Sequence, residues 1–291
     1  MKHRLFIMPF DHRTSLVRDI IGHDKINSRQ RRQIEKLKFL IYQAFLKVYN
    51  AYSNKSELSV LVDEQFGARI LRDAKKRGIQ ICVPVEASGE KELKFEYGNA
   101  FGRHINKFAP DYVKVLVNYN PLNRKINQRQ RNKLNRLSDF CRKNNYHLLL
   151  ELLVPPTAKD LEISGTLAGY ESKLKIKRTV DAINEIKKAA KPAIWKMEGF
   201  SRAGWQKVLK ALPKNQAVIV LGRGEDEPKV KKWLIAASGF ARIIGFAVGR
   251  TIFLKSLKKY YSGKMTEESF INRLSLKFGS FIRLWKKNDN N

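Results

Sequence analysis

Two lysines and a set of carboxylates interrupt segments that are otherwise apolar. Lys114 lies inside Tyr112-Val113-Lys114-Val115-Leu116-Val117, and Lys196 inside Ile194-Trp195-Lys196-Met197-Glu198-Gly199. Glu151 follows Leu148-Leu149-Leu150 and precedes Leu152-Leu153-Val154. Asp11 and the pair Asp63-Glu64 stand at the ends of two further apolar runs. A strand buried on both faces reads almost wholly apolar, so each of these charges is either a partner in an ion pair or a reactive group. Buried singly, each would cost several kcal/mol. One reading is a structural ion-pair layer in which Glu151, Asp11 or Glu198 neutralises Lys114 and Lys196. The other is chemical. A desolvated lysine beside a second cation has its pKa lowered toward neutrality and becomes an amine nucleophile toward ketones, and a neighbouring carboxylate then moves protons. Paired lysines and carboxylates point to imine chemistry, which needs no metal and no cofactor. The histidines His3, His12, His23, His104 and His147 show no H-x-H or H-E-x-x-H spacing. The serine elbow G-x-S-x-G is absent. His147, at the start of an apolar run, reads as structural.

Eight short apolar runs carry these residues: 5–10, 58–63, 79–85, 112–117, 147–153, 193–198, 217–221 and 243–248. Helical patterns lie between or after them at 30–52, 66–76, 97–107, 127–143, 173–190, 203–211, 228–238 and 266–285. Eight βα units at near-regular spacing predict an α/β fold, a closed (β/α)8 TIM barrel with a C-terminal helical extension. The first turn, Phe10-Asp11-His12-Arg13, lacks the G-x-G-x-x-G of an open doubly wound sheet. No Pro/Ser-rich linker divides the chain, so residues 1–291 are read as one domain, with the barrel at about 5–263 and the terminal helix at about 266–285. Alternation puts Ile194, Lys196 and Glu198 on one face and Trp195 and Met197 on the other; with the latter pair against helices, Lys196 points into the barrel. Pro155-Pro156 and the stretch 157–169 read as a long irregular loop, a candidate lid. The last two strands end in Gly222-Arg223-Gly224 and Gly249-Arg250-Thr251. In such barrels these are the places where backbone amides hold a phosphate. Gly222, Gly224 and Gly249 would allow close backbone approach, and Arg250 would add a charge-assisted bond.

The chain carries 58 basic and 27 acidic residues, a formal charge of +31. Such a surface attracts polyanions, yet no zinc-finger, RNA-recognition or basic-zipper signature is present. The densest basic run, Arg31-Arg32 continuing to Lys36 and Lys38, reads as a solvated helix face. The balance therefore favours a lysine-rich surface around a pocket for anionic small molecules over a specific nucleic-acid partner. No apolar run approaches a bilayer span, and the N-terminal run stops at Asp11-His12-Arg13 without a cleavage site. Cys82 and Cys141 are isolated thiols, which fits a reducing, cytoplasmic location. Assembly into a homo-oligomer is left open.

The segments Leu61-Val62-Asp63-Glu64-Gln65-Phe66-Gly67, Phe95-Glu96-Tyr97-Gly98, Val113-Lys114-Val115-Leu116-Val117-Asn118-Tyr119-Asn120-Pro121, Glu151-Leu152-Leu153-Val154-Pro155-Pro156, Trp195-Lys196-Met197-Glu198-Gly199 and Phe246-Ala247-Val248-Gly249-Arg250 resemble, in order and spacing, one domain family. That domain is often fused to the C-terminus of 5-dehydro-2-deoxygluconokinases of inositol catabolism, and is similar to class I tagatose 1,6-bisphosphate aldolases. The resemblance runs from about Leu5 to Gly263. It implies that Lys196 is the Schiff-base lysine, that Glu151 is the glutamate of the fifth strand and that Lys114 is the lysine of the fourth. It also implies that Asp11 and Arg13 belong to an Asp-Gln-Arg motif after the first strand, and that Gly249-Arg250 is the motif after the eighth. His12 in place of the glutamine and the Pro155-Pro156 loop depart from the family pattern. No kinase half lies in these residues, so the substrate is expected to arrive phosphorylated.

The function so implied is that of an aldehyde-lyase cleaving 5-dehydro-2-deoxygluconate 6-phosphate to dihydroxyacetone phosphate and malonate semialdehyde. Tagatose or fructose bisphosphate cleavage, and a non-catalytic sugar-phosphate-binding regulator, are the alternatives. The charge generates a separate expectation. DNA should bind at low salt and be lost steeply toward physiological ionic strength, with no sequence preference. Fluorescence anisotropy over a salt series checks this, and a sequence-specific complex surviving at physiological salt would reveal a dedicated nucleic-acid role.

Overall fold

The computed structural model describes residues 4–289. Eight parallel strands close on themselves in chain order: β1 (Leu5–Pro9), β2 (Leu58–Leu61), β3 (Gln80–Pro84), β4 (Tyr112–Asn118), β5 (His147–Leu153), β6 (Ile194–Met197), β7 (Ala217–Leu221) and β8 (Ile243–Ala247). β8 pairs with β1 through Leu5–Gly245, Phe6–Phe246 and Ile7–Ala247 and so closes the ring. Each expected apolar run contains one strand, and the architecture is the (β/α)8 barrel with a C-terminal helix.

The two-residue period of the strands divides the apolar side chains into two cores. Leu5, Ile7, Leu61, Cys82, Tyr112, Leu149, Ile194, Ile219 and Ala247 fill the barrel interior. The alternate residues, among them Phe6, Val60, Val113, Leu148, Trp195 and Phe246, face outward into the layer beneath the helices. One period above the interior Tyr112, Leu149 and Ile194 come Lys114, Glu151 and Lys196. Register places Glu151 opposite Lys196, and Leu116 opposite Glu151. The charges therefore form the layer above an apolar floor, at the C-terminal ends of the strands.

The outer layer comprises α1 (Thr14–Ile21), α2 (Ser28–Ala51), α3 (Glu64–Lys76), α4 (Phe101–Phe108), α5 (Arg124–Lys143), α6 (Ala158–Ser164), α7 (Leu167–Gly169), α8 (Lys175–Ile186), α9 (Arg202–Ala211), α10 (Glu227–Ala237), α11 (Arg250–Tyr261) and α12 (Glu267–Asp289). The expected helices are present with shifted ends. The pattern 30–52 begins two residues earlier because Asn27 and Gln30 form a reciprocal capping box. Three points differ from the sequence reading. The helices α1 and α11, directly after β1 and β8, were not anticipated. The stretch 157–169 is not irregular: Thr157 and Asp160 cap each other at the start of α6, and a π-helical turn (Tyr170–Leu174) leads into α8. Asp160 is buried and also accepts hydrogen bonds from Arg178 Nε (2.7 Å) and Asn120 Nδ2 (2.7 Å), so the segment is tied to the barrel. Lys38 is not on a solvated face. It is fully buried between α2 and α3, paired with Asp63.

The last helix seals the joint where the barrel closes. α12 packs on α2, α10 and α11. Its Phe278, Phe281 and Trp285 pack against Phe246 of β8, and Trp285 meets Phe6 of β1 edge-on at 6.4 Å. Trp285 is fully buried. Trp285→Ala should cost about 3–5 kcal/mol of stability and Trp285→Phe clearly less; urea unfolding of the three proteins measures the difference.

Candidate active site

The C-terminal ends of the strands open into a cavity of about 530 Å³. Asp11, Arg13, Lys114, Glu151, Lys196, Gly222, Gly224, Gly249 and Arg250, each expected at a site from the sequence, all line it. At its floor Lys114 Nζ lies 3.1 Å from Asp11 Oδ2, 2.5 Å from Glu86 Oε1 and 3.0 Å from Glu151 Oε2. Lys196 Nζ makes one contact with a carboxylate, 2.9 Å from the same Glu151 oxygen. One oxygen thus bridges two ammonium groups.

The electrostatics follow from that crowding. Burial works against a charge on Lys114, but Asp11, Glu151 and Glu86 outweigh it and raise its pKa well above the ordinary lysine value. Burial likewise opposes ionisation of Asp11 and Glu151, and the two lysines overcome it, holding both carboxyls below their usual range. Lys114 is accordingly a fixed ammonium. Removing its proton would leave three carboxylates facing each other. Lys196 contacts only Glu151, which keeps Lys114 as a second partner.

Glu86 escaped the sequence reading. It lies two residues beyond β3, where a bridge to Phe95 holds the chain in extended geometry. This keeps the alternation Cys82, Pro84, Glu86 pointing inward. That continued alternation was the only available signal. Its second oxygen accepts from the Leu116 backbone N–H at 3.2 Å. Arg13 lines the cavity with its guanidinium committed elsewhere: it donates to the Glu86 carbonyl at 2.6 Å and to Glu96 at 2.8 Å, anchoring the Glu86 loop. Glu198 does not share a face with Lys196 as alternation suggested. The strand ends at Met197, and Glu198 turns away to pair with Lys175 (2.9 Å) and Arg223. Asp63 caps α3 and holds Lys38, while Glu64 pairs with His104 and Lys107; neither lines the cavity. Cys82 lies in the floor, its thiol pushed up first by burial and then by Asp11. Cys82 and Cys141 are both free and buried.

Opposite the Glu86 loop lie the β7 and β8 turns. Helix α11 starts at Arg250 with no side-chain cap on its first turn, leaving N–H donors and the positive helix end facing the cavity. Arg250 Nε is buried without a partner. The glycines have structural reasons of their own. A Cβ on Gly249 would run into the Pro9 carbonyl oxygen, where β8 meets β1. A bulky residue there disrupts the barrel joint and is not a clean probe of the pocket. Gly224 has φ +82°, a left-handed conformation that favours glycine, and lies against the Arg250 guanidinium.

His12, between Asp11 and Arg13, also lines the cavity, edge-on to Phe253 and with Nδ1 buried and unpartnered. Burial lowers its pKa to about 3, helped by Arg250, Lys196 and Lys38 and opposed by Asp11. The imidazole is therefore neutral near pH 7. In the unfolded chain it takes up a proton near 6.5. Between these values the unfolded state binds the extra proton, so acidification from about pH 6.5 toward 4 should cost stability through this group. His12→Asn should flatten that part of the stability–pH curve, measured by chemical denaturation across the range; an unchanged slope would show that the ring is protonated in the fold.

Among the described residues no group of three or more His, Cys, Asp or Glu side chains is placed to hold a metal ion, and no helix is long and apolar enough to cross a membrane. No curated protein matches the sequence. Solved structures share the fold at low identity. A Corynebacterium glutamicum protein has a TM-score of 0.58 and 15% identity, covering 96% of this chain and 86% of its own. A Schiff-base-forming fructose-1,6-bisphosphate aldolase has a TM-score of 0.57 and 13% identity, covering 97% and 94%. An archaeal fructose 1,6-bisphosphate aldolase has a TM-score of 0.55 and 12% identity, covering 96% and 95%. At such identities the likeness is one of fold. A family described as uncharacterized protein conserved in bacteria, DUF2090, matches residues 1–289, and the chain belongs to that family.

Proposed function

We propose that this protein is a class I aldolase that cleaves a phosphorylated ketose through an imine on Lys196. The observation that carries the reading is the single Glu151 oxygen shared by a fixed ammonium, Lys114, and a less constrained amine, Lys196, inside a cavity with an anion-attracting end. The nucleophile follows from the partners. Lys114 is held charged by three carboxylates, so Lys196 is the amine that can release a proton and attack.

In this mechanism the phosphate lies at the first turn of α11 and at Arg250, with Gly222 and Gly224 beside it. Lys196 Nζ adds to the ketone carbon, and Glu151 relays the protons that let water leave. The protonated imine then takes the electron pair of the breaking carbon–carbon bond while the hydroxyl of the departing fragment loses its proton and becomes an aldehyde. Protonation of the enamine and hydrolysis return dihydroxyacetone phosphate and the free amine. Lys114 and Asp11 position substrate hydroxyls, and Lys114 holds Glu151 ionised against the neighbouring charge of Asp11.

The substrate we favour is 5-dehydro-2-deoxygluconate 6-phosphate, releasing malonate semialdehyde in a cytoplasmic pathway. The resemblance to the domain fused to 5-dehydro-2-deoxygluconokinases supports it. The fold shared with fructose-1,6-bisphosphate aldolases keeps tagatose and fructose bisphosphates as comparison substrates.

Borohydride reduction with dihydroxyacetone phosphate should leave a stable adduct that peptide mapping places on Lys196. Lys196→Arg should abolish it, since a guanidinium cannot form the imine. Lys114→Met should lower stability by about 3–5 kcal/mol, because carboxylates are left without their cation, yet still be trapped, more slowly. An adduct on Lys114 alone would reverse the two roles. Absence of any adduct with all three sugar phosphates would leave a binding protein.

A further inference from the structure

The loop after β7 contains a third arginine that neither the strand pattern nor the imine chemistry accounts for. Arg223 lies on the wall between the central cavity and a second one of about 340 Å³, bounded by Tyr170, Lys175 and Glu225, and it lines both. Its side chain is 41% exposed, whereas Glu198, which it reaches, is 4% exposed. Glu198 does not depend on it. Arg223 sits on Oε1, while Lys175 Nζ lies 2.9 Å from Oε2. Losing Arg223 would leave the buried carboxylate paired.

The backbone around Arg223 is held in an unusual form. Arg223 has φ +53° and Gly224 φ +82°, two consecutive left-handed residues, of which only the glycine adopts that form without a steric cost. The Glu225 N–H donates to the Gly222 carbonyl at 3.0 Å within the turn, and two side chains hold it from outside: Arg250 Nη2 donates to the Arg223 carbonyl at 3.0 Å and Thr251 Oγ1 to the Glu225 carbonyl at 2.8 Å. Both come from the first turn of α11, the same turn assigned above to the phosphate. An anion at that turn competes directly for the Arg250 donor that fixes Arg223 in place.

Charge leads to the same place. A phosphate monoester brings nearly two negative charges, and the pole supplies one guanidinium, Arg250, plus the partial charge of a helix end. Arg223 is a further cation on the same cavity, in a turn whose Gly224 already touches the Arg250 guanidinium.

We propose that Arg223 is a phosphate clasp: on binding of a sugar phosphate it leaves Glu198, which Lys175 continues to neutralise, and closes on the phosphate beside Arg250. The inference rests on the phosphate pole of the proposed function but not on turnover, so it is tested by binding. Isothermal titration with inorganic phosphate and with dihydroxyacetone phosphate should give, for Arg223→Ala, an affinity about tenfold weaker. Glu198→Gln, which releases the clasp, should bind more tightly than the parent, and the double variant should lose that gain. A crystal of the unaltered protein grown with dihydroxyacetone phosphate should show the Arg223 guanidinium on the phosphate and off Glu198. An affinity unchanged or weakened by Glu198→Gln in a folded protein, Arg223 still on Glu198 in the complex, or no binding of either ligand by the parent would each overturn the proposal. Failure of imine trapping with the exchange intact would remove the aldolase reading and leave the clasp.

Discussion

The Oε2 atom of Glu151 is the point on which the site depends. It lies about 3 Å from two lysine nitrogens that approach from different strands. Lys196 has no other carboxylate partner, and Glu151 could not stay ionised at that depth without the two lysines. The arrangement requires strands four, five and six in one register, with Glu151 directly across from Lys196. A slip of one residue would turn one of them into the apolar layer beneath the helices. The apolar floor of Tyr112, Leu149 and Ile194 maintains that register from below, and Glu86 and Asp11 complete the shell around Lys114 from the neighbouring loops.

The same network separates two lysines that look equivalent on paper. Lys114 is surrounded; Lys196 is attached at one point. A charge that several partners stabilise cannot be discharged without stranding them, which is why the proposed reaction uses the lysine with the fewer ties. The distribution of carboxylates thus separates the two lysines: the fixed cation keeps Glu151 ionised, and in the proposed reaction Glu151 carries protons beside Lys196.

Charge is also sorted between interior and exterior. Among the described residues the buried acidic side chains are Asp11, Glu57, Asp63, Glu86, Glu151, Asp160, Glu198 and Asp289, while the buried basic ones are only Arg13, Lys38, Lys114, Lys175 and Lys196. The outer surface is therefore more positive than the formal +31 of the whole chain. Such a field raises the local concentration of anions and speeds their arrival.

Much of this was legible in the amino-acid order. Strands buried on both faces leave apolar runs, and a lysine or glutamate within such a run is conspicuous, so Lys114, Glu151 and Lys196 could be picked out and, by alternation, pointed inward. The Gly–Arg turns after β7 and β8 were equally visible, and they line the cavity. Periodicity stops where a strand stops, and the readings failed at those ends. Glu86 lies past β3 and is aimed inward only because its loop bridges to Phe95; Glu198 lies past β6 and is drawn away by Lys175 and Arg223. The burial of Lys38 depends on α2 meeting α3, and the need for glycine at 249 depends on a carbonyl of β1 that lies 240 residues earlier. The sequence alone determined which strands form and which charges they carry inward. Only the closed barrel decided how many partners each charge meets, because that number is set by contacts between segments far apart in the chain.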